Sequence, residues 1–479
     1  MKHNNTIFVS FLVLLGGIWC LVYSLIKVDV VYLLAGIIFF LCSGVLFIFK
    51  KSIKNDVFSP IFVMTCAIIL SYGIGCIYLY LNLDTHYNSF VPHQDPSIIF
   101  ALILIVISII FVAFGVFVAN RTKIVKFPVF SPEISLPKLS LITILATAFG
   151  LVIWVVVFKS FGYGNIKAIL QNIMQARVKF TMQGMYYIKF LFQFLITAPF
   201  FLWVILYFEN RDRIRNMLGF KFFLALYFIL IIFLGLVSGA RSEVLYPLLT
   251  CIFIYNYFKK RISVFMIVLF IISILPFVGA YETFRHFSLV EVSSSISISE
   301  KIMVSLSNIS LERVILRFVT RFNSVFYNFV VLINSWEKTF LYGRSFIDFV
   351  LQPIPRIFLP DKPYLFNMAM TKQFYPRFFA MGGGTSFGLV PEAFMNFHFA
   401  GIVLFGTVYG LIIGLLQKWY NLNKTNVFFA FIYSQLFLLP WGWLAGGLIN
   451  SAMNERIILN LFFCTGLYLI ISRRRKIYT

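Results

Sequence analysis

Residues 98–119 read IIFALILIVISIIFVAFGVFVA, an apolar run without a charged residue that is long enough to cross a bilayer as a helix. Further apolar runs, several of them shorter, lie at 7–26, 30–49, 59–81, 139–158, 188–208, 222–237, 244–258, 262–280, 399–416, 427–439 and 457–472. The chain of 479 residues is 61% hydrophobic and only 12% charged, whereas a soluble domain carries about 25% charged residues. The sequence therefore predicts an all-α polytopic membrane protein with about twelve transmembrane helices.

The charge balance predicts how these helices are oriented. Lys and Arg number 40 against 17 Asp and Glu, for a net charge of +23, and such cations collect in cytoplasmic loops. If successive spans cross the membrane in alternating directions, the loops and termini on one face hold 21 Lys and Arg and four acidic residues. On the other face, the outer loop 82–97 has no Lys or Arg. Both termini are therefore predicted in the cytoplasm. Because the cations are divided between two membrane faces, a nucleic-acid partner is excluded.

The loops divide the chain into three parts. Residues 1–280 contain nine spans, residues 281–398 form one large outer loop, and residues 399–479 contain the last three spans and a cytoplasmic tail. Within the large loop, apolar residues recur at helical spacing from Ser310 to Glu337, which predicts an amphipathic helix. An alternative is that residues 322–336 dip into the membrane or form an additional span.

Four short stretches on the predicted outer face carry residues suited to chemistry or binding, and for the second of them a plain helix end is an equal alternative to an active-site wall. They are SGARSE (238–243), YETFRH (281–286), GRSF (343–346) with PIPR (353–356), and GGGTSFGLVPE (382–392). Their arginines are Arg241, Arg285, Arg344 and Arg356. A guanidinium group binds phosphate oxygens bidentately, and backbone amides at Gly383 and Gly384 can converge on an anion. A mutual ion pair of Arg241 and Glu243 is an alternative to a binding role.

Glu392 is the first candidate for a base, because it is a carboxylate close to the predicted mouth of span ten. His398 is the second candidate, although a histidine that only packs at the interface is the alternative. Together with Arg241, Glu392 and His398 are the predicted catalytic residues. The chain has no Asp-x-Asp pair, and its six cysteines lie in or beside apolar runs without a CxxC motif. No metal and no cofactor are therefore predicted.

The order of these motifs resembles a known family. The stretches SGARS (238–242), YGRS (342–345), IPR (354–356), PDKP (360–363) and GTSFGLVPEAFMNF (384–397) look like those of the Wzy-type O-antigen polymerases. The resemblance covers roughly residues 230–415. These enzymes polymerise oligosaccharide repeat units in the bacterial inner membrane.

The resemblance implies a membrane glycosyltransferase of lipopolysaccharide biosynthesis. Such an enzyme transfers a growing glycan from undecaprenyl diphosphate onto an undecaprenyl-diphosphate-linked repeat unit at the periplasmic face. The large outer loop would then be periplasmic, the arginines would neutralise the leaving diphosphate, and Glu392 or His398 would serve the acceptor hydroxyl. A chain-length regulator protein is an implied partner, and no cofactor is implied.

Two alternatives remain open from the sequence. An O-antigen ligase would use the same chemistry with a different acceptor. A lipid-linked oligosaccharide flippase or other transporter would place its ionisable residues near the bilayer midplane, whereas spans one to six have almost none in their interiors.

Overall fold

The computed structural model describes residues 5–81, 95–123, 133–160, 162, 169, 186–209, 219–237, 241–286, 300, 303–304, 307, 311–335, 340–351, 359, 361–380, 383–424, 426–448 and 452–473. Its helices are α1 (Asn5–Lys27), α2 (Val30–Ile48), α3 (Lys50–Ile53), α4 (Pro60–Ile68), α5 (Gly75–Tyr80), α6 (Asp95–Arg121), α7 (Leu136–Ser160), α8 (Tyr186–Glu209), α9 (Phe220–Val237), α10 (Arg241–Phe258), α11 (Val264–His286), α12 (Leu311–Asn334), α13 (Arg344–Leu351), α14 (Phe366–Phe374), α15 (Pro376–Ala380), α16 (Leu389–Leu422), α17 (Val427–Leu436), α18 (Leu439–Gly446) and α19 (Ala452–Ile471). A π-helical segment, Ile69–Ile74, joins α4 to α5. Two short strands, β1 (Glu133–Ile134) and β2 (Ser472–Arg473), pair antiparallel.

The helices confirm the predicted class, an all-α polytopic membrane protein. Ten helical stretches in the described part are long and apolar enough to cross a membrane. They are Asn5–Lys27, Val30–Ile48, Pro60–Tyr80, Pro96–Arg121, Leu136–Ser160, Leu191–Glu209, Phe220–Val237, Val264–Tyr281, Leu389–Leu422 and Val427–Gly446. The predicted spans 244–258 and 457–472 correspond to shorter apolar helices, Glu243–Phe258 and Leu461–Ile471. A count of twelve spans stays a prediction.

One end of the bundle is held together by a buried carboxylate, Asp56. Its oxygens accept hydrogen bonds from Tyr420 Oη at 2.7 Å and Asn256 Nδ2 at 2.8 Å, and Arg261 pairs with it at 2.7 Å. These partners come from α16, α10 and the segment before α11. We call this the Asp56 end. The grouping fits the prediction that these loops share one membrane face, and their assignment to the cytoplasm stays a prediction.

Helix α16 is fixed in the bundle by a very close approach to α6. Gly406, Gly410 and Gly414 recur every four residues along α16, a spacing that lets helix backbones come near each other in a membrane. A Cβ atom added at Gly410 would lie 2.0 Å from the carbonyl oxygen of Val112. No larger side chain fits there, so this contact sets the position of α16 against α6.

Helix α16 begins ten residues before the predicted start of span ten at residue 399. It starts at Leu389, and residues 389–396 are all buried. The sequence placed this segment in the outer loop because Pro391, Glu392 and Asn396 interrupt the apolar run. Tertiary contacts of Glu392 and Asn396 stabilise the segment inside the protein.

A helix is present where the helical spacing predicts one, as α12, Leu311–Asn334, and its amphipathic placement in an outer loop stays a prediction. The side chains of Arg313, Arg317 and Arg321 lie outside the described part of the structure. The C-terminal half is buried: Val325 to Leu332 lie in the core. A Cβ added at Gly75 of α5 would lie 3.5 Å from the Cα of Asn323, so this half of α12 packs directly on the third span.

Candidate functional site

Glu392 lies in the first turn of α16 with a side chain that is 0% exposed. Its carboxylate lies directly against the backbone of Gly447, which follows α18. A Cβ atom added at Gly447 would be 2.5 Å from Oε2 of Glu392 and 2.9 Å from its Cδ. Gly447 has φ +89°, a conformation that favours glycine. An ionisable residue so deeply buried at the start of a membrane helix is expensive and is therefore a functional candidate.

Asn367 of α14 connects the two chain segments that meet at Glu392. Its Nδ2 donates to the carbonyl oxygen of Gly446 at 2.8 Å, and its Oδ1 accepts from the amide of Phe387 at 2.8 Å. Gly446 immediately precedes Gly447, and Phe387 immediately precedes Gly388, the N-cap of α16. The amide group of Asn367 therefore fixes the distance between the end of α18 and the start of α16.

Asn328, which is buried in α12, holds the loop of residues 383–388 that leads into α16. Its Nδ2 donates to Thr385 Oγ1 at 2.6 Å and to the carbonyl oxygen of Ser386 at 2.7 Å. Its Oδ1 accepts from the hydroxyl of Tyr375 at 2.8 Å. Both side-chain donors and the acceptor of this asparagine are thus used to shape the loop. We call residues 383–388 the entry loop of α16.

Asn396 couples the buried turn of Glu392 to α13. Its Nδ2 donates to the carbonyl oxygen of Glu392 at 2.8 Å, and its Oδ1 accepts from Ser345 Oγ at 3.0 Å. The amide of Leu341 also donates to the carbonyl oxygen of Met395 at 2.8 Å. The first turn of α13 therefore lies beside the first turns of α16, and its position is set by these bonds.

A break in α16 follows directly. Phe397 has φ −144° and ψ 25°, and His398 has φ 56° and ψ −138°, neither of them helical. The φ of His398 is unfavourable for a side chain with a Cβ. Its imidazole lies among aromatic rings, with centroid distances of 5.2 Å to Phe340, 5.0 Å to Phe394 and 4.4 Å to Phe399. This strain at the edge of the buried segment is of the kind that collects at functional sites.

The four predicted phosphate-binding arginines differ in what the structure describes. Arg344 is the first residue of α13, and its side chain is 70% exposed, with Nε 3.9 Å from Oδ1 of Asp348. Arg241 begins α10 and Arg285 lies in α11, but their side chains are outside the described part. Arg356 lies wholly outside the described residues. The structure thus brings Arg344 next to the Glu392 segment, and the other three stay predictions.

The structure also describes two other charged residues of the sequence motifs, Glu243 and Lys362. The carboxylate of Glu243 accepts a hydrogen bond from Gln193 Nε2 of α8, so α8 and α10 are linked beside Arg241. Lys362 of the PDKP motif is 7% exposed and is not presented on the surface. Burial of such an ammonium group requires compensating contacts.

Several amides of the entry loop are bonded within the protein. The amide of Gly383 donates to the carbonyl oxygen of Phe378 at 2.9 Å, and the amide of Thr385 donates to Thr371 Oγ1 at 3.1 Å. These hydrogen bonds hold the loop in one conformation. The phosphate-binding role of Gly383 and Gly384 stays a prediction.

Three residues of this site were not found from the sequence: Asn328, Asn367 and Gly447. Asn328 did leave a signal, since it is a polar residue within the run VFYNFVVL (325–332) of an amphipathic helix. A buried asparagine in such a run must find hydrogen-bond partners. Gly447 left none, because its importance comes from a carboxylate 55 positions earlier in the chain.

These features define a class of protein: a helical membrane protein with a buried carboxylate and an exposed arginine near the entry of one spanning helix. The chain belongs to the O-antigen polysaccharide polymerase Wzy family, whose model matches residues 5–474. No curated protein and no solved structure matches the chain. The family match confirms the resemblance seen in the motifs and extends it over nearly the whole chain.

Membership in this family establishes the general activity. The protein is an O-antigen polymerase, a glycosyltransferase-type enzyme that acts on lipid-linked oligosaccharide. Together with its apolar helices, this makes it a multi-pass bacterial membrane protein.

Proposed function

We propose that this polymerase transfers a growing glycan from undecaprenyl diphosphate onto an undecaprenyl-diphosphate-linked repeat unit at the periplasmic face of the inner membrane. Both termini are then cytoplasmic, and the Asp56 end faces the cytoplasm. The observation that carries the proposal is the burial of Glu392 against Gly447, with the exposed Arg344 tied to the same segment through Ser345 and Asn396.

In the proposed reaction, a hydroxyl oxygen of the acceptor sugar attacks C1 of the donor sugar that is joined to the diphosphate. The bond between C1 and the diphosphate oxygen breaks, and its electron pair leaves with undecaprenyl diphosphate. The hydroxyl proton passes to the carboxylate of Glu392 as the oxygen bonds to carbon. His398 is the second candidate for this proton, and its place beside Phe394 and Phe399 keeps it at the same break in α16.

Arg344 is proposed to stabilise the leaving diphosphate, whose negative charge grows as the bond breaks. A guanidinium suits this role because it binds two phosphate oxygens at once and stays charged at any physiological pH. Its side chain is 70% exposed, so a ligand can reach it. Arg241, Arg285 and Arg356 are proposed as further cations for the same diphosphate, and Gly383 and Gly384 as backbone donors. The free energy that drives glycosidic bond formation comes from cleavage of the donor's sugar–diphosphate linkage.

The proposal is tested by reconstituting the purified protein in liposomes with a synthetic undecaprenyl-diphosphate-linked repeat unit. We expect lipid-linked glycans of two, three and more repeat units, together with one undecaprenyl diphosphate released per bond formed, measured by mass spectrometry. In cells, deletion should leave single repeat units on lipid A core. Long chains that accumulate on the carrier after deletion would identify a ligase, and absence of periplasmic repeat units would identify a flippase.

The direction of growth is tested in the same liposomes. A pulse of isotopically labelled repeat unit after the first chains have formed should place the label next to the lipid carrier, because the growing chain is the donor. Label at the distal end of the chain would contradict the proposed roles of donor and acceptor. A chain-length regulator is proposed as a partner, and adding it should narrow the length distribution without being needed for bond formation.

A further inference from the structure

In helix α13, the polar side chains of Ser345 and Asp348 face the protein, whereas three apolar side chains face outward. Ser345 is buried, and the side chain of Asp348 is 14% exposed. On the opposite side, Ile347 is 62% exposed and Val350 is 69% exposed, with Phe346 partly exposed beside them. Surface helices in water show the reverse pattern. An apolar medium would suit this outward face of α13 better than water.

The rotation of α13 about its axis is fixed by specific contacts. Ser345 Oγ bonds to Asn396 Oδ1 at 3.0 Å on the inner side. Before the helix, Tyr342 has φ 44° and Gly343 has φ 82°, so a tight turn sets the direction in which the helix leaves. Ser345 cannot exchange places with Ile347 or Val350 without breaking this bond.

The charge on the inner side agrees with this placement. Burial raises the pKa of the Asp348 carboxyl, and the guanidinium of Arg344, one turn earlier, acts in the opposite direction. Arg344 itself extends from the first turn with most of its surface exposed. A long cationic side chain at one end of an apolar face is the pattern by which helices sit at a membrane interface, with the charge at headgroup level.

The apolar face of α13 continues onto a helix that crosses the membrane. The ring of Phe346 lies 6.3 Å from that of Phe397 and 6.1 Å from that of Phe405, both of α16. Phe397 is itself exposed, as are Phe399 and Leu404 further along α16. Exposed side chains on a spanning helix face lipid, so the lipid-facing surface of α16 extends outward onto α13.

We propose that α13 lies at the membrane interface, in the leaflet on the same side of the membrane as Glu392. Phe346, Ile347 and Val350 are then immersed among acyl chains, and Arg344 lies at headgroup level. The occupant of this face is the bilayer itself. Since a lipid-linked substrate reaches the enzyme through the same leaflet, α13 then forms part of the border between the bilayer and Glu392. The placement of α13 does not depend on the proposed glycan transfer.

The test measures depth rather than activity. Single cysteines replace Ile347 and Val350 in a variant whose six native cysteines are changed to serine or alanine, and each is spin-labelled in proteoliposomes of phosphatidylethanolamine and phosphatidylglycerol. Collision rates with molecular oxygen, which concentrates in lipid, and with a water-soluble nickel chelate are compared by electron paramagnetic resonance. Leu404→Cys serves as the lipid-facing reference, and Asp361→Cys, at an exposed carboxylate, as the aqueous reference.

We expect the ratio of oxygen to nickel collisions at Ile347→Cys and Val350→Cys to lie well above that at Asp361→Cys and at or below that at Leu404→Cys, because labels at the interface are shallower than labels on a spanning helix. A ratio equal to that of Asp361→Cys would mean that the face is in water and would overturn the proposal. Labels shielded from both reagents would mean that protein covers the face, which would also overturn it. Folding of each variant is checked by its elution as a single species and by its melting temperature, and Phe346→Cys replaces any variant that fails this check.

Discussion

The carboxylate of Glu392 and the backbone of Gly447 are in direct contact, so that a methyl group in place of the glycine hydrogen would lie 2.5 Å from Oε2. The two residues come from different helical segments, the start of α16 and the end of α18. Asn367 holds these segments together by bonding to both Gly446 and Phe387. The position of the proposed base is thus determined by contacts spread over some 80 residues of sequence.

Gly447→Ala should inactivate the enzyme while it still folds. The added Cβ must displace the carboxylate of Glu392, and the φ of +89° adds strain of about 1–3 kcal/mol for any residue but glycine. A displacement of about 1 Å at a reacting group lowers turnover on the order of 100-fold. Polymer formation by the reconstituted variant measures this. Gly44→Ala is the matched control, because an added Cβ at Gly44 meets nothing within 4 Å, and it should polymerise normally. Full activity of Gly447→Ala would contradict the contact.

Asn328→Ala should loosen the entry loop. The substitution leaves Thr385, the carbonyl of Ser386 and the hydroxyl of Tyr375 without their shared partner, at a cost of about 1–3 kcal/mol. Amide hydrogen exchange of residues 383–388 should become faster. The control is Asn256→Ala, which removes another buried asparagine, at the Asp56 end, and should leave the exchange of the loop unchanged. Equal exchange in both variants would show that Asn328 does not hold the loop.

His398→Gly should be more stable than His398→Ala. Both variants lose the imidazole and its aromatic contacts, but only alanine keeps a Cβ at φ 56° and ψ −138°. After allowing for the greater freedom of glycine in the unfolded chain, the difference is about 1 kcal/mol in favour of glycine. Melting temperatures of the two variants in the same detergent measure it. An alanine variant as stable as the glycine variant would mean that the backbone at residue 398 is unstrained.

Lys424→Gln should change how stability depends on pH. Burial, followed by repulsion from Arg261, lowers the pKa of Lys424 to about 8 from its usual 10.5, although Asp56 opposes the shift. Between pH 8 and 10.5 the unfolded chain therefore binds more protons than the folded protein, and stability contributed by this group rises with pH. We expect the gain in melting temperature of the glutamine variant over the wild-type protein to be present at pH 7 and to shrink as the pH approaches 10.5. A gain that does not change with pH would contradict the shift.

The sequence predicted the parts of the fold that depend on local pattern. Runs such as 98–119 have no stable alternative to a spanning helix, and the helical spacing of residues 310–337 predicted a helix, which is present as α12. Glu392 was singled out as a carboxylate at the mouth of span ten that could serve as a base, and this role stays a prediction.

The missed parts depend on contacts between distant residues. The segment LVPEAFMN (389–396) contains a proline, an acid and an asparagine, so no periodicity marks it as a buried helix. It is buried because Ser345 satisfies Asn396 and because Gly447 leaves room for Glu392. Similarly, the outward apolar face of α13 became visible only when the inward positions of Ser345 and Asp348 were known.

The central claim is that the carboxylate of Glu392 takes part in bond formation. Its most direct test is Glu392→Gln, which keeps the shape of the buried side chain and removes its charge, assayed with the synthetic lipid-linked repeat unit in liposomes. The control is the same substitution far from the site, Glu209→Gln. Glu209 is the last residue of α8, and its neighbour Phe208 contacts Tyr255 near the Asp56 end. We expect Glu392→Gln to bind the repeat unit and form no polymer, with Glu209→Gln as active as the wild-type protein. Polymer of normal length and rate from Glu392→Gln would contradict the claim.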